Sequence, residues 1–177
     1  MRESWQLWEG VIPKETCESY IKLCQSACIM QDGTTFNNAT ESTRKTKVGW
    51  TDHAILTDLA KRYTDLANRA VFGFDVSFIP AIQFGEYTKG CLYNWHHDID
   101  WTAKSAYDRK LSLVLQLTDP AEYEGGFLEF KTVQTPYQFS TQGSILVFPS
   151  YLEHRVTEIT QGTRYSLVCW AEGPRWR

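Results

Sequence analysis

Tyr87-Thr-Lys-Gly90-Cys-Leu-Tyr93-Asn-Trp95-His96-His97-Asp98 is the stretch that decides how this chain reads. Side chains two apart on a β-strand share a face. His96 and Asp98 therefore converge on one point, while His97 turns away and reads as structural or exposed. An imidazole and a carboxylate aimed together can hold a divalent cation, and a second His would complete a three-ligand shell. The chain has four His. The remaining candidate is His154, in Phe148-Pro-Ser-Tyr-Leu-Glu-His154, because His53 opens a helix and reads as a surface residue. Asp100 shares the parity of Asp98 and is the rival carboxylate.

Around this motif the texture is that of strands. From Phe74 onward short runs alternate: Val76 and Phe78, Ile82 and Phe84, then Leu111, Leu113, Leu115 and Leu117. Phe127 to Phe130, Tyr137 to Phe139, Ser144 to Phe148, 154–159 and 164–170 continue the series. Tyr123-Glu-Gly-Gly126 and Gln161-Gly162 read as turns, with Glu122 to Glu124 a solvated one. Ahead of the strands, Cys17, Tyr20, Ile21, Cys24 and Cys28 recur at helical spacing and predict a helix over 13–29. Ile55, Leu56, Leu59, Tyr63, Leu66 and Ala70 predict another over 52–72, stopped by Gly73. Trp5 to Trp8 reads as a short opening strand. The polar stretch 32–49 reads as a loop and a candidate lid. The expectation is one α+β domain over residues 1–177, with 1–73 mainly helical support. Residues 74–177 would form a jelly-roll core, a cupin-like double-stranded β-helix.

Composition narrows the function classes. Net charge is -3, so no basic field invites nucleic acid. No apolar run reaches the roughly 20 residues of a membrane span, and the opening Met1-Arg-Glu-Ser-Trp-Gln lacks the apolar core of a signal peptide. The five Cys form no Cys-x-x-Cys. Cys17, Cys24 and Cys28 share a helical face as small core residues, which predicts a reduced, cytoplasmic protein. Aromatic residues make up 14% of the chain, seven of them Trp. Most fill sheets, whereas Trp95 and Trp101 flank the His-x-Asp motif and are candidates for substrate contact.

A jelly roll has an open mouth where inward side chains meet, and His96, Asp98 and His154 would meet there. Two His and one carboxylate, with open positions opposite, form the shell of non-heme Fe(II) oxygenases. Arg164 follows His154 by ten residues on the next strand. Ser166 shares its face, and Tyr165, Leu167 and Cys169 take the other. A forked guanidinium beside such a metal suits a carboxylate, most simply that of a dicarboxylate chelating the metal by its other end.

These residues together resemble the 2-oxoglutarate/Fe(II)-dependent dioxygenases, in their prolyl 4-hydroxylase branch. The likeness covers roughly residues 74–176. It runs through Tyr87, Gly90, Tyr93, His96 and Asp98, then Arg109, then Gly125-Gly126-Phe-Leu-Glu-Phe130, then Phe148-Pro149-Ser150 and His154, and closes on Gly162, Arg164, Ser166 and Trp170. The resemblance implies that His96, Asp98 and His154 bind Fe(II) and that Arg164 pairs with the distal carboxylate of 2-oxoglutarate. Ser166 would assist, and Tyr87 would donate a hydroxyl. Where several relatives place a Tyr, this chain has Gln116, whose amide can also donate. Arg109, Tyr93, Trp95, Trp101 and Trp170 are candidate substrate contacts.

The implied activity is hydroxylation of a C–H bond with O2, releasing succinate and CO2, with ascorbate restoring oxidised iron. The substrate implied is a prolyl residue in a peptide or protein; a free amino acid or other small molecule is the alternative. An aromatic groove at Trp95 and Trp101 would favour a peptide, and an extra Arg or Lys in a closed mouth a small-molecule carboxylate. Repair of methylated nucleic acid ranks low, because Arg164-Tyr-Ser-Leu-Val-Cys-Trp170 departs from that branch's pattern. A non-enzymatic jelly-roll binding module is the reading from another class.

Overall fold

Leu111, Leu113 and Leu115 alternate with Ser112, Val114 and Gln116, and the fold buries both sets. The structure, a computed structural model, describes residues 3–34, 43–134 and 137–177. Its elements are β1 (Gln6–Trp8), α1 (Lys14–Ala27), β2 (Gln31–Asp32), β3 (Arg44–Lys45), β4 (Lys47–Thr51), α2 (Ala54–Ala67), β5 (Ile82–Tyr87) and β6 (Leu92–His96). They continue with β7 (Tyr107–Gln116), β8 (Tyr123–Gly125), β9 (Leu128–Phe130), β10 (Ile145–Pro149), β11 (His154–Val156), β12 (Ile159–Gly162) and β13 (Arg164–Pro174). A seven-stranded sheet runs β1-β10-β7-β13-β5-β4-β2. A four-stranded sheet runs β3-β6-β11-β9, and β12 pairs with β8. The two larger sheets form the expected jelly roll, antiparallel at every described pairing.

The outer face of the large sheet carries the helices. Leu111, Leu113 and Leu115 of β7 pack with Ile145 and Val147 of β10, Leu167 and Cys169 of β13, and Ile82 and Phe84 of β5. Cys17 and Cys24 of α1 and Leu56, Ala60 and Ala67 of α2 close the same cluster. Each helix has 14 residues, a length that is marginal alone in water. Their buried residues, Cys17 and Cys24 of α1 and Leu56, Ala60, Thr64 and Ala67 of α2, lie against the sheet, so docking is what holds them. The opposite residues of the same strands face the small sheet: Val114, Leu146 and Phe148 meet Leu128, Phe130 and Phe139. A strand covered on both faces reads as a continuous apolar run, which explains Ile145 to Phe148.

Several expectations are corrected. The stretch 32–49 is not all loop, because β3 and β4 pair with β6 and β5. The clue is Gly49: a Cβ there would meet Cys28 Cβ at 2.5 Å, so only glycine lets β4 lie against the end of α1. The lid expectation falls partly on 35–42, outside the described residues. Residues 1–73, expected to be mainly helical support, also supply four strands. The second helix stops at Ala67 and passes into a π-type turn, Asn68–Phe72. There the Asn68 amide bridges Phe74, donating to its carbonyl and accepting from its N–H, both at 2.8 Å. Val76 forms no strand, and Phe78 makes one isolated bridge to Glu172. Tyr137–Ser140 is a 3-10 turn, although it still delivers Phe139 to the core. No helix among the described residues is long and apolar enough to cross a membrane.

All five cysteines are free thiols. Burial pushes Cys17 up to about 11 and both Cys24 and Cys169 up to about 12. A thiol reacts as its thiolate. In native protein at about pH 8, iodoacetamide should leave these three unmodified, and unfolding in urea should expose all five, as read by mass spectrometry. Native labelling of Cys24 as fast as in urea would mean that α1 is not docked on the sheet.

Candidate metal centre

β6 and β11 are paired so that His96 lies directly opposite His154. Their rings stand 4.2 Å apart. Asp98 follows β6 by two residues and is fixed by its backbone N–H donating to Ser150 O at 3.0 Å. Its carboxylate enters between the two rings, with Oδ1 3.6 Å from His96 Nε2 and Oδ2 3.5 Å from His154 Nε2. Ligand atoms of these three residues all lie within 4.8 Å of one another. Atoms sharing a cation at about 2.1 Å sit roughly 3 Å apart, so a small inward adjustment seats an ion.

Protonation fits the same purpose. Nδ1 of His96 lies 2.7 Å from Asn94 O, and Nδ1 of His154 lies 2.9 Å from Leu152 O. A carbonyl can only accept, so each Nδ1 carries the proton and each Nε2 presents a lone pair. Burial pushes the His154 ring down to about 4, against the pull of Asp98, leaving it neutral at pH 7. Burial alone would raise the Asp98 carboxyl. The imidazoles of His154 and His96 and the Arg109 guanidinium more than reverse this and hold it well below the usual carboxylate range. A neutral ring and an ionised carboxylate are the states a cation requires. The chemistry and spacing of this donor set therefore fit Fe(II), one of several divalent metals suited to it.

Neighbours aim the ligands. Ser112 Oγ donates to Asp98 Oδ2 at 2.7 Å and lies 2.9 Å from Ser150 Oγ. Tyr93 stacks on His96 with centroids 3.4 Å apart and planes within 7°. Phe148 stands edge-on to His154 at 4.9 Å. The rival Asp100 is engaged elsewhere, its Oδ1 accepting from the Thr102 N–H and hydroxyl at 2.9 and 2.7 Å. His97 is exposed.

Arg164 extends from β13 into the same cleft, a narrow space of about 40 Å³ that His96, Asp98, His154, Tyr87 and Ser166 also line. It is 2% exposed, with its guanidinium 5.6 Å from the centre of the Tyr87 ring. Among the described residues no carboxylate lies within ion-pair distance of it. Behind Arg164 and Leu128 opens a larger cavity of about 350 Å³, bordered by Gln116, Tyr123 and Gly126. The expected Gln116 donor is corrected here. Its Nε2 donates to Thr118 O at 3.0 Å and to the Tyr123 hydroxyl at 2.9 Å, so both amide hydrogens are spent. The Tyr123 hydroxyl accepts and keeps its own proton to give. Gly126 makes this packing possible, since a Cβ there would lie 3.0 Å from Arg164 Cδ and 3.4 Å from Tyr123 Cε2.

Among the candidate substrate contacts, Arg109 and Trp170 come together, with the guanidinium 3.8 Å from the indole centre. Arg109 also donates to Asp98 O at 3.3 Å. Tyr93 lies between His96 and Arg44, whose guanidinium is 4.4 Å from its ring. Trp95 is a correction: strand alternation turns it to the outside, where Arg155 and Lys131 cover it at 4.7 and 5.8 Å. Trp101 is 57% exposed and lines none of these cavities. Sequence reasoning missed Ser112, Tyr123 and Arg44. Ser112 carried a signal, as a hydroxyl on the inward face of an otherwise apolar strand.

Ser112→Ala should weaken Mn(II) binding about ten-fold while leaving the thermal midpoint within a few degrees of native. Calorimetric titration of metal-free protein reads this directly. Unchanged affinity would mean that Ser112 does not orient Asp98.

Residues 82–172 match the family model described as the 2OG-Fe(II) oxygenase superfamily. A PKHD-type hydroxylase of Prochlorococcus marinus is 37% identical over 95 residues, which cover 53% of this chain and 42% of that protein. A PKHD-type hydroxylase of Synechococcus is 40% identical over 81 residues, covering 45% and 36%. The chain thus matches less than half the length of these two curated relatives. Among solved structures, the viral collagen prolyl hydroxylase of Paramecium Bursaria Chlorella virus-1 superimposes with a TM-score of 0.76 at 18% identity, covering 97% of both chains. A Pseudomonas putida prolyl-4-hydroxylase gives 0.72 at 18% identity, covering 98% of this chain and 94% of its own. At that identity the likeness is one of fold.

Proposed function

This chain belongs to the 2OG-Fe(II) oxygenase superfamily, and from its site we propose that it is a 2-oxoglutarate- and Fe(II)-dependent hydroxylase whose substrate is a prolyl residue in a peptide or protein. One observation carries the cosubstrate part of this reading. Arg164 is a buried cation with no anionic partner among the described residues, in a cleft it shares with His96, Asp98 and His154. An unpaired buried charge costs several kcal/mol, and the distal carboxylate of 2-oxoglutarate would remove that cost. The prolyl part draws on relatives and neighbours named as hydroxylases and prolyl hydroxylases.

His96, Asp98 and His154 would hold the iron through two Nε2 atoms and a carboxylate. With 2-oxoglutarate and O2, the bound metal supplies the oxidation that places a hydroxyl on a C–H bond and yields succinate and CO2. Arg164 would pair with the distal carboxylate, with Ser166 and Tyr87 beside it. We assign the Tyr123 hydroxyl, oriented by Gln116, as a further donor to that carboxylate. Leu128, Val114 and Val168 line the cleft and exclude water from it. Ascorbate would restore iron oxidised in idle turnover. The five free thiols support a reducing, cytoplasmic setting. A free amino acid or small molecule remains the second substrate reading, because the mouth holds two Arg.

Succinate release with Fe(II), 2-oxoglutarate and ascorbate, with and without Pro-containing peptides, tests the proposal when mass gain on the peptides is read alongside. Peptide-stimulated release with one added oxygen is the expected outcome. No succinate under any condition, with metal bound, would leave only a jelly-roll binding module. Arg164→Gln should raise the KM for 2-oxoglutarate about ten- to a hundred-fold, and Tyr123→Phe about three- to ten-fold. An unaltered KM in Arg164→Gln would remove the anchoring role.

A further inference from the structure

In front of the metal ligands lies a third cavity, of about 150 Å³. It shares Arg44, Gln83, Tyr93, Asp98 and Trp170 with the metal cleft, so the two adjoin. Two guanidinium groups line it. That of Arg44 lies on the Tyr93 ring and donates to Gln83 Oε1 at 2.8 Å and Thr34 O at 2.9 Å. That of Arg109 lies on the Trp170 ring. Both guanidiniums border the same cavity, so an anion seated in it would be attracted by each. On two of the lining residues a nitrogen is buried without a hydrogen-bond partner, Arg44 Nε and Trp170 Nε1, and both are donors. What they lack is an acceptor.

Among the described residues no carboxylate lies within ion-pair distance of Arg44. Asp98 is the only acid lining the cavity among the described residues, and it belongs to the metal shell. Glu172 pairs in register with Arg109 and acts on its charge, yet lines neither cavity. Arg44 has only neutral partners among the described residues. The Tyr93 ring separates Arg44 from His96, so whatever Arg44 grips sits one aromatic thickness from a metal ligand.

We infer that the substrate presents a carboxylate to this mouth, where Arg44, with Arg109, holds it close to the carbon that is hydroxylated. The carboxylate is either the C-terminus of a short peptide or amino acid, or an acidic side chain beside the reacting residue. A forked donor on an aromatic support suits either source. This inference rests on the dioxygenase reading of the same site.

The test is equilibrium binding to protein loaded with Mn(II) and 2-oxoglutarate in the absence of oxygen, read by calorimetry. The probes are N-acetylproline, its neutral amide, and an N-acetyl-Asp-Pro amide. At least one anionic probe should bind about ten-fold or more tightly than the neutral amide. Preference for N-acetylproline identifies a terminal carboxylate, and preference for the Asp-containing amide identifies a side chain. Arg44→Gln should erase the preference, and Arg44→Lys should keep part of it. Equal binding of all three probes, no binding of either anion, or a preference that survives Arg44→Gln overturns the inference. Should the acid preference hold while no succinate is ever released, the dioxygenase reading falls and the anion mouth stands. Should peptides drive succinate release with acid and amide bound alike, the anion mouth falls alone.

Discussion

Burial of the central strands on both faces is the constraint from which the rest of the molecule follows. β5, β7, β10 and β13 each carry one row of side chains to the helices and the other row inward. Because the period of a strand is two, a slip of one residue would exchange the rows. Arg164 and Ser166 would then face the helices, and Leu167 and Cys169 the metal. The apolar cluster under α1 and α2 thus fixes the register that aims the polar residues. Packing and chemistry are two faces of the same alternation, so a repacked outer face would also misaim the site.

The small sheet contributes the other half. Its His96 and His154 face each other because β6 and β11 pair in that register. The large sheet answers with Ser112, which steadies Asp98 from below. The centre is therefore assembled from both sheets, and neither sheet alone would hold it. Single side chains such as Tyr93 serve two neighbours at once, with a ligand on one face and a guanidinium on the other.

Much of this was legible in the sequence because it obeys simple periodicity. The alternating leucines of β7 announced a strand, and the parity of Arg164 and Ser166 placed both inward. His-x-Asp signalled shared aim, although Asp98 achieves it just beyond the strand end rather than within it. What escaped notice depends on contacts between distant segments. β3 and β4 are hidden in a polar stretch, because their partners lie some forty residues away. Tyr123 sits in what reads as a solvated turn, and only the proximity of Gln116 gives it a task. Trp95 was misjudged by position: it adjoins His96 in the chain, and adjacency on a strand means opposite faces.

The two ligand rings are each pinned by a carbonyl two residues earlier in their own chain segment, Asn94 for His96 and Leu152 for His154. Their tautomers and orientation are thus set before any ion arrives, and loading the site costs little rearrangement. Such a preformed shell is open to Mn(II), Co(II) and Ni(II) as well as Fe(II), because all accept the same nitrogen and oxygen donors. Metal supply would then act beside geometry and ligand type in deciding which ion such a shell takes.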